Sequence, residues 1–123
     1  MKQKSPWLKS IKKISLPIAH EEGRYIISQK EYEKMKKGGQ IAFAYTQGEI
    51  CKFQNIEKNP NGSDFCIAGV SAYNGRVLGM MPHPERAMFS HQSPLWQMNK
   101  KVSKKGAGLQ IFKNAIDYFV PKK

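Results

Sequence analysis

Leu78-Gly79-Met80-Met81-Pro82-His83-Pro84-Glu85-Arg86-Ala87 joins a short apolar run to a histidine held between two prolines. Each proline disfavours the helical region for the residue before it, so Met81 and His83 are predicted to be extended. In an extended chain residues two apart point the same way, which places His83 and Glu85 on one side of a stiffened stretch just past a strand. The prolines bring no amide donors, so the stretch cannot be a central rung of a sheet. A histidine with a carboxylate beside it is the base-plus-orienter half of a nucleophilic triad. The carboxylate fixes the imidazole tautomer and stabilises its protonated form. The same His-x-Glu spacing is common on surfaces where it does nothing, so the residues alone leave both readings open.

Outward from this stretch the chain alternates short strands and helices. Toward the N-terminus, Arg76 to Met80 is predicted to be a strand, and Tyr73-Asn74-Gly75 a hairpin turn, because Asn-Gly tolerates the positive backbone angles of a tight turn. Cys66 to Ala72 is the strand paired with it. Residues 47–63, with Gly48, Pro60, Asn61 and Gly62, are predicted to be a long loop or irregular hairpin. Residues 40–46 alternate Ile41, Phe43 and Tyr45 with small residues and read as a strand. Ser28-Gln29-Lys30-Glu31 is a capping box ahead of a short helix that Gly38 and Gly39 stop. Tyr32 and Met35 fall on one face of it. Arg24 to Ile27 reads as extended, His20-Glu21-Glu22-Gly23 as a turn, and residues 14–19 as a short edge strand interrupted by Pro17. Toward the C-terminus, residues 90–105 are polar and irregular. Leu109, Phe112, Ile116 and Phe119 then repeat at helical spacing, predicting an amphipathic helix with that stripe as its packing face, ended by Pro121.

The 123 residues carry 21 Lys plus Arg against 9 Asp plus Glu, a net charge of +12. The excess sits in residues 1–13, a basic lead-in with Trp7 as its one anchor, in residues 100–105, and in Lys122 and Lys123. Only Arg24, Arg76 and Arg86 are arginine, and basic and aromatic residues are not interleaved. Readers of base edges and single strands use those two patterns, so a nucleic-acid partner rests on charge alone. No apolar stretch approaches the ~20 residues that cross a bilayer, so no membrane partner is expected. Two cysteines, Cys51 and Cys66, make neither a disulfide framework nor a zinc site, and the expected location is the reducing cytoplasm. His20 and His91 have no metal-spaced partner, and no metal site is expected.

Four motifs in order, LPIAHEEGRY at 16–25, NPNGS at 59–63, IAGV at 67–70 and LGMMPHPERA at 78–87, resemble the glutaminase subunits of phosphoribosylformylglycinamidine synthase. These belong to the class I, triad-type glutamine amidotransferases with a cysteine nucleophile. The resemblance covers most of residues 14–87 and, more loosely, the last helix. It implies an α/β fold: the C-terminal portion of a flavodoxin-like amidotransferase domain, with an incomplete sheet and a C-terminal helix over residues 14–123. It implies that His83 is the general base and Glu85 the residue that orients it. It implies glutamine hydrolysis through a cysteinyl thioester, the ammonia passing to a synthase partner of purine biosynthesis. No cofactor is implied for the glutaminase step, and ATP and magnesium belong to the synthase.

The pattern is incomplete. The family's nucleophile sits on a Gly-x-Cys-x-Gly turn, and neither Cys51 in Glu49-Ile50-Cys51-Lys52 nor Cys66 in Asp64-Phe65-Cys66-Ile67 has that setting. Cys66 reads as a small buried strand residue and Cys51 as an incidental loop thiol. The chain is expected to be a C-terminal half-domain beginning at its own Met1, with neither nucleophile nor oxyanion hole, inactive alone and dependent on an N-terminal half. A half-domain leaves a sheet edge unpaired, so the isolated chain is expected to be marginally stable or to aggregate. The alternative is a non-catalytic gene remnant or an interaction module on the synthase. Glu21, where the family's turn usually has glycine, favours that alternative. A basic nucleic-acid binder is the third reading.

Overall fold

The computed structural model describes residues 5–19, 22–98 and 104–121. The His20-Glu21 turn and much of the lysine-rich ends and of 100–105 lie outside the described residues. The architecture is a three-stranded antiparallel sheet with short helices and a C-terminal helix, as a partial α/β amidotransferase domain requires. In chain order the elements are α1 (Gln29–Lys37), β1 (Ile41–Ala44), α2 (Glu49–Phe53), β2 (Ile67–Ala72), β3 (Val77–Met80) and α3 (Leu109–Phe119).

Local sequence accounts for several boundaries. Ser28 accepts from the Glu31 amide at 3.3 Å while the Glu31 carboxylate accepts from the Ser28 amide at 3.3 Å, so the capping box is formed. Gly38 and Gly39 end α1, and Gly39 takes the positive φ of 67°. The β2–β3 hairpin pairs Gly69 with Met80 through Ala72 with Val77, and Tyr73, Asn74 and Gly75 between them all have positive φ. The sheet order is β1-β2-β3, and β1 meets β2 with two register irregularities.

Other expectations are corrected. Residues 14–19 form no strand; Pro17 lends a single carbonyl to the His83 amide at 2.8 Å. Residues 24–27, expected to be extended, join no sheet; one backbone bond, from the Asp64 amide to the Tyr25 carbonyl at 2.8 Å, and two side chains hold them. Ser63 Oγ accepts from the Tyr25 amide at 3.0 Å and Asp64 Oδ2 from the Ile27 amide at 3.0 Å. The 47–63 stretch is not all loop: it holds α2, so Cys51 is a half-buried helix residue. Cys66 precedes β2 instead of lying in it. Phe65 and Cys66 have φ of 53° and 57°, outside the strand region, and burial begins one residue later at Ile67.

The largest departure is at the N-terminus. The basic lead-in has more anchors than Trp7: Ser5, Leu8 and Ile11 are buried. Pro6–Leu8 form a 3₁₀ turn whose Leu8 is 0% exposed, and Ile11 is buried with it. Ser5 Oγ donates to the Gly75 carbonyl at 2.8 Å and Trp7 Nε1 to the Arg76 carbonyl at 2.8 Å, tying the turn to the hairpin. Asn114 of α3 donates to the Trp7 and Lys9 carbonyls, both at 2.9 Å. These bonds select which side of α3 faces inward. Ile111 and Asn114 are buried, whereas Ile116 and Phe119 of the expected packing stripe are exposed. Leu8→Ala should therefore cost about 2–5 kcal/mol of unfolding free energy, as cavity-forming core substitutions do. A denaturation midpoint unchanged from the parent would show that the turn is not packed in solution.

Candidate active site

β3 ends at Met80, and the Met81 amide still bonds across to the Ala68 carbonyl at 3.0 Å, prolonging the pairing by one residue. The prolines then stop it. His83 is extended, with φ −101° and ψ 93°, and Pro84–Ala87 fold into a 3₁₀ turn. That turn corrects the expectation of a fully extended His83–Glu85 stretch: Glu85 is carried round by the turn to reach the ring.

The two side chains meet. His83 Nδ1 and Glu85 Oε1 are 2.6 Å apart, short enough for a charge-assisted hydrogen bond. The carboxylate accepts only, so the proton lies between them on Nδ1. The His83 side chain is 30% exposed and Glu85 is 53% exposed, so the pair is open to a group arriving from outside. The hydrogen bond from His83 is the main cause holding the Glu85 carboxyl below its usual 4.5, with its own backbone amide and the charges of His83 and Arg86 adding to it. Arg86 Nε stands 4.0 Å from the same oxygen.

A folded value below the unfolded one means the interaction stabilises above the ordinary carboxylate range and is lost as pH falls through the folded value. A ¹³C-NMR titration of the Glu85 carboxyl should give a midpoint below 4.5; a midpoint at or above it would mean the contact does not persist in solution.

The second ring nitrogen has a neighbour that the sequence does not disclose. His83 Nε2 lies 3.3 Å from the Ala19 carbonyl oxygen. The Pro17 carbonyl accepts from the His83 amide at 2.8 Å and so holds the histidine backbone, whereas Nε2, with the ring proton on Nδ1, has no proton to give the Ala19 oxygen. Backbone carbonyls carry no residue signature, so no motif could have revealed this contact.

A cavity of about 520 Å³ opens beside the turn, lined among others by Pro17, Phe43, Tyr45, Cys51, Met80 and Pro82. Pro82 and Ala87, on either side of the pair in sequence, line it, whereas His83 and Glu85 do not. Neither thiol hydrogen-bonds to His83 among the described residues.

The Asn59–Ser63 run is the turn expected of it, and it does more. Asn61 Nδ2 donates to the Gly23 carbonyl at 2.9 Å and to Tyr45 Oη at 3.4 Å, while Asn61 Oδ1 accepts from Ser63 Oγ at 2.8 Å. This network binds the 24–27 segment to β1. Burial pushes the Tyr45 phenol up, partly offset by Asn61. His91 stacks on Phe89 at 5.8 Å, and no group of three metal-ligating side chains occurs among the described residues.

A histidine and a carboxylate in contact on a proline-framed turn also occur in unrelated settings, so membership is decided by the whole chain. Residues 1–119 match the CobB/CobQ-like glutamine amidotransferase domain. The chain belongs to that family. The amidotransferase match starts at residue 1, so it includes the packed N-terminal turn. Among curated proteins, the phosphoribosylformylglycinamidine synthase subunit PurQ of Methanococcus maripaludis (strain C5) is 40% identical over 114 residues, covering 85% of this chain and 42% of that protein. The subunit of the same name from Methanothrix thermoacetophila is 43% identical over 108 residues, covering 85% and 40%. That of Aquifex aeolicus is 51% identical over 76 residues, covering 60% and 32%. The amidotransferase chain thus spans less than half the length of the relatives it matches. No described helix is long and apolar enough to cross a membrane.

Proposed function

We propose that this chain supplies the general base, His83, and its orienting carboxylate, Glu85, to a glutaminase of phosphoribosylformylglycinamidine synthase. The thiol comes from polypeptide outside these 123 residues, whether in the same chain or a second one. The reading rests on the 2.6 Å contact between Nδ1 and the carboxylate, which leaves Nε2 as the nitrogen that takes the thiol proton. With the ring proton on Nδ1, Nε2 has no proton to give the Ala19 carbonyl oxygen 3.3 Å away, so the approaching thiol displaces no hydrogen bond there.

In the proposed step the thiol sulfur bonds to the amide carbon of glutamine as its proton moves to His83. The imidazolium then returns that proton to the departing nitrogen, which leaves as ammonia with a thioester behind. Water attacks the thioester, losing a proton to His83, and the thiol re-forms as glutamate is released. The ammonia goes to a synthase partner, which uses ATP and magnesium. The exposed apolar side chains, among them Phe53, Val77, Ile116 and Val120, support the view that further polypeptide covers this chain in the working enzyme.

The test mixes this chain with a separately produced remainder of an amidotransferase domain and measures glutamine-dependent ammonia release. Each piece alone should release none and the mixture should release it. Release by this chain alone, or none from the mixture, overturns the reading.

A further inference from the structure

Two glycines outside every recognised motif lie against the turn that carries Glu85. Gly106, Ala107 and Gly108 run backbone to backbone along residues 84–89. The Gly106 amide donates to the Met88 carbonyl at 2.8 Å, and the Gly108 amide to the Ala87 carbonyl at 2.9 Å. A Cβ on Gly108 would stand 2.8 Å from the Pro84 carbonyl carbon and nearer still to its oxygen. A Cβ on Gly106 would stand 2.8 Å from the Ala87 carbonyl carbon and 2.8 Å from the Phe89 amide nitrogen. Real Cβ atoms essentially never come within 3.0 Å of such neighbours, and these neighbours are backbone, which cannot swing aside. Any side chain at 106 or 108 must therefore displace either the 84–89 backbone or the glycine segment itself.

We infer that Gly106 and Gly108 are positioning residues for the His83–Glu85 pair. They allow the start of α3 to press directly on the Pro84–Ala87 turn and fix how far Glu85 stands from the ring. Three observations carry this. The two predicted clashes fall on opposite ends of one four-residue turn. Glu85 is the second residue of that turn, whereas His83 precedes it and has its own amide held by the Pro17 carbonyl at 2.8 Å, with one bond to the turn, from the Arg86 amide to the His83 carbonyl at 3.2 Å. A shift of the turn thus moves the carboxylate relative to the imidazole. Finally, α3 is anchored at its other side through Asn114 to the buried N-terminal turn, so it cannot retreat freely from an added methyl group.

The catalytic consequence rests on the proposed glutaminase reading; the geometric one does not. The experiment compares Gly108→Ala and Gly106→Ala with Gly79→Ala, where an added Cβ meets only Val70 Cγ2 at 3.9 Å. The ¹⁵N-labelled chain, complemented in trans as above, is followed by ammonia release and by the downfield proton resonance of His83 Nδ1–H that a short bond to a carboxylate produces. Expected for both test variants are loss of that resonance and a fall in kcat of about 10²-fold, the size of effect that follows from misplacing a catalytic group by about 1 Å, with KM unchanged. Gly79→Ala should change neither. A variant that keeps the resonance, or loses it without a fall in kcat, overturns the inference, as does an effect on KM alone. Should both variants fail to fold, a urea titration of the unsubstituted chain decides. The resonance should disappear together with protection of the Gly108 amide from exchange, and a resonance that outlasts that protection overturns the inference. If the resonance behaves as expected but the parent mixture releases no ammonia, the positioning stands and the glutaminase reading fails.

Discussion

Replacing His83 by alanine should abolish glutamine-dependent ammonia release by the complemented enzyme, a fall on the order of 10⁶ in kcat. The size follows from how a nucleophile and its base act as one unit. A thiol near its ordinary pKa of about 8.5 is mostly protonated at neutral pH, and without a base it attacks an amide carbon very slowly. The same ring returns the proton to the leaving nitrogen, so its loss blocks both the attack and the departure. Removing the base from such a unit costs about as much as removing the nucleophile itself. The substituted side chain is partly exposed and touches Glu85 and one carbonyl, so the variant should fold and associate as the parent does. Binding of the variant to its complementing segment, with ammonia release below detection, is the expected pair of results. Activity within tenfold of the parent would remove His83 from the mechanism.

Glu85→Gln should give the next largest loss, about 10²–10⁴ in kcat, with KM nearly unchanged. The glutamate accepts a hydrogen bond from Nδ1–H and so leaves the Nε2 lone pair free for the thiol. An amide in its place can present its NH₂ group to Nδ1 and move the ring proton to Nε2, the wrong tautomer for a base. A comparable exchange in a serine-protease triad lowers kcat by about 10⁴ with the geometry intact. The lower end of the range reflects the openness of this pair, 53% exposed at Glu85, where solvent shares in orienting the ring. The split between kcat and KM checks the assignment: a carboxylate that orients the base acts on the reaction, whereas one that binds glutamine would raise KM first.

How much of this was legible in the sequence differs from one feature to the next. The capping box at Ser28 and Glu31 and the Asn74-Gly75 hairpin were read directly, because each is settled by bonds and backbone angles within a few residues. His83 and Glu85 were legible as a candidate pair for the same reason, two positions apart on a proline-framed stretch, although the turn that joins them was not. The packing of Leu8, the inward side of α3 and the absence of a strand at 14–19 were not legible. Leu8 stands among lysines, and nothing nearby shows that Asn114, more than 100 residues later, binds the carbonyls on either side of it. The apolar residues of α3 cover a wide arc, so periodicity alone allowed more than one inward face. Cys66 was misplaced because the left-handed angles at Phe65 and Cys66 are unusual for those residue types.

The amino-acid sequence by itself determined the family, the antiparallel hairpin, the capped helix and the identity of the histidine–carboxylate pair, because motif order and bonds between near neighbours are written in consecutive residues. Only the tertiary structure decided that Leu8 and Ile11 of the N-terminal stretch are part of the core, that the Pro17 carbonyl holds the His83 amide, and that two glycines before α3 press on the turn bearing Glu85. Those features depend on backbone atoms, identical in every residue, brought together across 18 to 107 positions by packing. They come into being only when the chain closes on itself.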